Sequence, residues 1–138
     1  MKQLALFLIA LTMFVAAGAQ TYIGELTTNG YTYKNAKMEL TEKGTTITLT
    51  MRHVKFAKLM PVKVDVEVKG LTANRRQRVV SLNGNNIIPL SNGKPHANRT
   101  IHDFKGIADA TTLTFECKMG DKRVSFSGQA TSGNGNPN

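Results

Sequence analysis

Of 138 residues one is cysteine, Cys117, and none is tryptophan. A single thiol excludes an intramolecular disulfide, so the fold must stand on its hydrophobic core, as a domain of roughly 100 residues can. Acidic residues are scarce, 9 against 18 lysines and arginines, which leaves a formal charge of +9. Such a balance favours anionic partners: polysaccharide, lipid headgroups, or nucleic acid met outside the cell. Long apolar runs are missing after residue 19, which excludes a helical membrane span from the rest of the chain. Helical periodicity is missing there too, and so is any histidine–cysteine spacing of a zinc site or a strand–glycine loop–helix arrangement for phosphate.

The first nineteen residues stand apart. Met1-Lys2-Gln3 is a short positive start, Leu4–Val15 is apolar except for Thr12, and Ala17-Gly18-Ala19 provides small residues for a peptidase. This is the pattern of a secretory signal, with cleavage expected after Ala19. The residue directly after the cleavage position is Gln20 and not cysteine, so a lipid anchor through an N-terminal cysteine is not expected. Export without disulfides fits a bacterial periplasm or exterior. Residues 20–130 are then one domain, and 131–138, rich in glycine and asparagine, are expected to be a disordered tail.

The domain is written in strands. In Met60–Gly70, Val62, Val64, Val66 and Val68 alternate with Lys63, Asp65, Glu67 and Lys69, a period of two that places four valines on a core face and four charges in water. Tyr22–Thr28 is a strand with Tyr22, Gly24 and Leu26 on one face. Asn29-Gly30 suits a tight hairpin. Ala36, Met38 and Leu40 alternate next, followed by a turn at Glu42-Lys43-Gly44. Ile47, Leu49 and Met51 then point inward, with threonines outward. Val79–Leu82 and Ile87–Leu90 are short apolar pieces, Ile101–Phe104 a short strand, and Ile107–Ala110 one helical turn. Leu113, Phe115 and Cys117 share a face, as do Val124, Phe126 and Gly128. About eight strands between turn signals predict an all-β, antiparallel barrel or sandwich.

The strings Val54-Lys55-Phe56 and Met60-Pro61-Val62, the ending Leu113–Gly120, and the opening Gln20-Thr21-Tyr22-Ile23-Gly24-Glu25-Leu26 resemble the calycin-like β-barrel domains of small exported bacterial proteins. The resemblance covers most of residues 20–129. It implies a single, roughly eight-stranded barrel related to lipocalins and no particular activity. Where lipocalins carry Gly-x-Trp, this chain has Gly24-Glu25-Leu26.

For chemistry the sequence offers little. His102-Asp103, with His96 in reach along a loop, is the nearest approach to a catalytic or metal constellation; the plainer reading is a surface loop, and no enzyme activity, metal or cofactor is expected. Asp65 and Glu67 share a face but sit between Lys63 and Lys69, as a solvated charged surface would. Cys117, in phase with Leu113 and Phe115, is expected to be buried. Asn98-Arg99-Thr100 matches a glycosylation acceptor, a pattern common by chance. Two functions remain. In the first, the barrel binds a small apolar or amphipathic molecule inside, against Leu49, Met51, Val64, Val66, Phe115 and Phe126. In the second, a filled barrel binds an anionic glycan or envelope partner through Arg75, Arg76 and Arg78. No aromatics interleave with those arginines, so nucleic acid is not expected.

Overall fold

The computed structural model describes residues 20–131; the expected signal segment and nearly all of the expected tail lie outside them. In chain order the strands are β1 (Gln20–Thr28), β2 (Tyr31–Lys43), β3 (Thr46–Val54), β4 (Val64–Arg76), β5 (Val79–Gly84), β6 (Leu90–Ser91), β7 (Lys94–Pro95), β8 (Ile101–Ala108), β9 (Thr112–Met119) and β10 (Lys122–Ala130). Eight of them pair antiparallel in the order β3-β2-β1-β10-β9-β8-β5-β4, and a β3–β4 ladder joins the two ends of that row. The protein is a closed eight-stranded antiparallel barrel, one of the two architectures that the strand count allows. Closure leaves none of the eight long strands as an open edge in a chain rich in valine and threonine, which would otherwise pair with its neighbours. β5 pairs only with the second half of β4, and the β6–β7 hairpin pairs with the first half.

Side-chain alternation is reset at four places. Asn35, His53, Gly70 and Asp103 all have positive φ, at 60°, 51°, 85° and 54°. Each sits where the register slips between paired strands. One extra residue in a strand bends it and flips the phase of all that follows. The phase therefore passes inward from Tyr33 to Ala36, from Met51 to Val54, from Val68 to Leu71 and from Ile101 to Phe104. Most of these residues are fully buried; Tyr33 packs against the core from its margin. Even alternation alone would have sent half of them into water.

Inward residues from all eight long strands form one apolar cluster. Phe104, Phe115 and Phe126 stack in a row across β8, β9 and β10, with centroids 5.0 and 5.5 Å apart. Offset aromatic packing of this kind adds to burial.

Three local expectations are corrected. Val62 is 61% exposed and lies before β4, which starts at Val64 and runs on through the Gly70 bulge to Arg76. Thr48 and Thr50 point outward yet are buried, because β3 lies between two long strands and Thr50 has Glu39 and Glu67 as register partners. Ile107–Ala110 is not a helical turn: β8 continues to Ala108, and Ile107 is on its outer face.

The two ends of the barrel differ. At one end lie the short β2–β3, β4–β5 and β8–β9 turns. There the Tyr22 hydroxyl donates to the Asp109 carbonyl at 2.8 Å, and Arg75 pairs with Glu42. The Asp109 carboxylate accepts from the backbone N–H of Thr111 and Thr112 at 2.8 and 2.7 Å. These bonds, the Thr111 one foremost, hold its pKa below the ordinary 3.8. Asp65 is lowered likewise, first by its bond to the His53 side chain. A lowered folded-state pKa contributes stability that is present above the unfolded value and lost as pH falls through the folded one. Unfolding in urea should therefore become easier as pH falls through the carboxylate range, and Asp109→Asn should flatten that slope. An unchanged slope would mean that the Asp109 turn is not formed.

Candidate functional site

The other end is the mouth. It is built from two irregular segments, residues 55–63 between β3 and β4 and residues 85–100 between β5 and β8. In the first, the Met60 N–H donates to the Ala57 carbonyl at 3.2 Å, closing a tight turn with Lys58 and Leu59 at its corner. The Phe56 N–H meets the Met60 sulfur at 3.1 Å. Phe56 is thereby turned in and buried, Met60 is half-buried beside it, and Leu59 is left 90% exposed.

The second segment is tied down bond by bond. His96 N–H donates to the Pro89 carbonyl at 3.1 Å, and Arg99 N–H to the His96 carbonyl at 3.0 Å, forming the 3-10 turn Ala97–Arg99. The Thr100 hydroxyl donates back to Ala97 at 2.6 Å. Gly120 N–H then reaches the Thr100 carbonyl at 3.0 Å. A Cβ at Gly120 would stand 2.7 Å from the Asn98 carbonyl oxygen, so only glycine lets the β9–β10 turn come this close.

Between the segments is a pocket of about 400 Å³. Phe56, Met60, Val64, Val66, Pro89 and Met119 supply apolar surface, and Ser91, His96, Asn98 and Arg99 supply polar groups. Arg99 is exposed and forms no ion pair among the described residues. An apolar floor with a few convergent polar groups is the usual form of a small-molecule site. A larger depression of about 650 Å³ lies over the outer faces of β1, β10, β9, β8 and β5. It is the more open of the two and is paved with Thr27, Ser81, Thr114, Ser125 and Ser127 between Glu25, Lys105 and Glu116. Leu82, Ile107, Phe115 and Phe126 add apolar surface to it, but its open shape leaves little to enclose a ligand.

The residues named from the sequence are placed as follows. Val64 and Val66 line the mouth pocket. Leu49 and Met51 are fully buried in the packed core. Phe115 and Phe126 belong to the stacked aromatic row and are almost wholly buried. The structure thus brings Val64 and Val66 to the mouth pocket, lets Phe115 and Phe126 line the outer depression, and packs Leu49 and Met51 into the interior. Arg75, Arg76 and Arg78 are not one basic surface. The Gly70 bulge puts Arg75 in the inward phase, where it pairs with Glu42, while Arg76 and Arg78 are exposed.

Among polar pairs, the histidine–carboxylate contact formed is not His102-Asp103 but His53 with Asp65, Nδ1 to Oδ1 at 3.0 Å. Arg52 joins it, 3.6 Å from Asp65 and 3.1 Å from Glu39. His53 is largely exposed, and the group ties the β3–β4 corner together on the outer face. Among the described residues no three of His, Cys, Asp and Glu are grouped to hold a metal. Cys117 is buried, and burial, with Glu116 adding to it, pushes its thiol up to about 12. A thiol in that state is a poor nucleophile.

Sequence reasoning missed Phe56, Met60, Pro89, Asn98, Arg99 and Met119 as a group because they come from separate segments without periodicity. One signal was there to be read: residues 53–63 and 84–100 contain no aspartate or glutamate. No family model, curated protein or solved structure matches the chain.

Proposed function

We propose that this is an exported, non-enzymatic binding protein of calycin-like type that holds a small amphipathic molecule with an acidic head at the mouth of its barrel. The mouth pocket carries the reading. Its apolar floor suits a hydrocarbon or aromatic body, and the guanidinium of Arg99, with His96 and Asn98, suits a carboxylate or sulfonate. Its volume lies toward the lower part of the range for small-molecule sites, so one small ligand fits. The export part rests on the pattern of Lys2, the apolar stretch 4–15 and Ala17-Gly18-Ala19. An anionic glycan held by the arginine trio draws less support, because Arg75 is engaged by Glu42.

Anilinonaphthalene sulfonate is a suitable probe, being apolar with one anionic group. Its fluorescence should rise on binding and fall when dodecanoate competes. Arg99→Ala should weaken binding about tenfold, as expected for loss of one charge-assisted contact worth about 1.4 kcal/mol, while Arg78→Ala at the opposite end should leave it unchanged. Equal effects from the two variants, or no enhancement with the folded parent, would rule the mouth out as the binding site.

A further inference from the structure

Among the described residues the exposed large apolar side chains are Ile23, Leu59, Val62, Val79, Ile88 and Ile107, and the two most exposed of them share one loop at the mouth. Leu59 is 90% exposed and Val62 61%, and both lie on the 55–63 loop. Ile88, also exposed, is next to Pro89 of the pocket wall. The loop is held in shape by the turn between Ala57 and Met60 and by Phe56 packed beneath it. Leu59 therefore stands out because the turn puts it there, not because a disordered strand happens to expose it. One exposed leucine needs no explanation by itself; Leu59 matters because Val62 shares its loop and Ile88 lies on the facing segment.

The charges around it point to the partner. Lys55, Lys58 and Lys63 are the only charged residues of the loop, and the facing segment adds Lys94 and Arg99. Lys63 lies 5.9 Å above the Tyr33 ring, which keeps its ammonium at the mouth. The nearest acid in sequence, Asp65, is already engaged by His53 and Arg52. Apolar side chains ringed by uncompensated cations are what an anionic bilayer surface takes up: the aliphatic groups enter the headgroup boundary and the cations meet the phosphates.

We propose that the mouth of the barrel docks on an anionic lipid bilayer, with Leu59 and Val62 entering the headgroup region and Lys55, Lys58 and Lys63 binding lipid phosphates. Docking in this orientation turns the pocket toward the membrane, since Phe56 and Met60 on the same loop line its wall. The inference is independent of what the pocket holds.

The absence of tryptophan makes the test direct. Leu59→Trp puts a single indole at the tip, at a position whose exposure keeps the fold unaffected. With vesicles of phosphatidylglycerol its emission should shift to the blue and be quenched by lipids brominated on their acyl chains. With phosphatidylcholine vesicles it should not. Lys55→Glu and Lys58→Glu together, in the same background, should lower vesicle partition at least tenfold, since each lysine near an anionic surface contributes about 1 kcal/mol, roughly fivefold. Arg78→Trp, at the far end of the barrel, should show no shift, which separates docking by the loop from attachment through residues 1–19. No shift at position 59, or an equal shift at position 78, would overturn the proposal. So would an equal shift at position 59 with dextran sulfate, which would assign the lysines to an acidic polymer instead.

Discussion

Val68→Asp is expected to leave no folded barrel under ordinary conditions. Val68 is fully buried and stands opposite Leu49 in the β3–β4 ladder, inside the apolar cluster. A carboxylate there has no partner and no route to water, so the chain must either bury a charge or protonate it and strand a polar group. The cost of an unpaired buried charge is about 3–5 kcal/mol or more, against a total stability of about 5–15 kcal/mol for a domain of this kind. The comparison along the strand is more telling than the single value. Val64 is half-buried at the mouth and Val62 is mostly exposed. Val64→Asp should therefore cost less than Val68→Asp, and Val62→Asp should fall within about 0.5 kcal/mol of the parent. Urea denaturation of the three variants gives the ranking. Equal losses at all three would mean that the even alternation of the sequence extends to Val62 and that β4 begins before Val64.

Gly24→Val should be nearly as damaging, for a steric reason. Gly24 of β1 lies opposite Gly128 of β10 in the ladder that joins the first long strand to the last. A Cβ at position 24 would collide with the carbonyl oxygen of Ser127 and the Cα of Gly128. Both obstacles are backbone, so no rotamer change relieves them. At Gly128 a Cβ would meet the Phe126 ring and stand 2.7 Å from the Ile23 carbonyl oxygen. The two glycines let the backbones of β1 and β10 approach closely. Overpacking typically costs about 1–3 kcal/mol and more where the backbone must move; here the movement opens the seam on which closure depends. Gly30→Ala is the control. Gly30 has φ +88° and open space around its Cβ position, so its loss should cost only the roughly 1–2 kcal/mol of a left-handed residue. Thermal melts that rank Gly30→Ala at or above Gly24→Val would show that the seam tolerates a side chain.

Much of the barrel is legible residue by residue. Asn29-Gly30 has positive φ at both positions, 45° and 88°, as the dipeptide predicts for a tight hairpin. Ala36, Met38 and Leu40, then Ile47, Leu49 and Met51, then Leu113, Phe115 and Cys117 are all buried, as their alternation requires. Legibility stops where the backbone departs from a period of two. Asn35, His53 and Asp103 are residue types that tolerate a left-handed conformation, but so are many loop residues, and nothing local says that one interrupts a strand. The basic trio was misleading for this reason: past Gly70 the phase reverses, and Arg75 finds Glu42, 33 residues away in sequence.

The sequence by itself determined the class of fold, the turns and most of the core, because hydrophobic alternation and turn chemistry act over a few residues and need no knowledge of the rest of the chain. Tertiary structure alone decided the closure of β1 on β10, the inward pairing of Arg75, and the mouth pocket. Closure depends on the registers of strands about a hundred residues apart. The pocket depends on Phe56 and Met60 arriving opposite Pro89 and Arg99, two segments with no periodicity that meet only because the barrel brings its loops to one end.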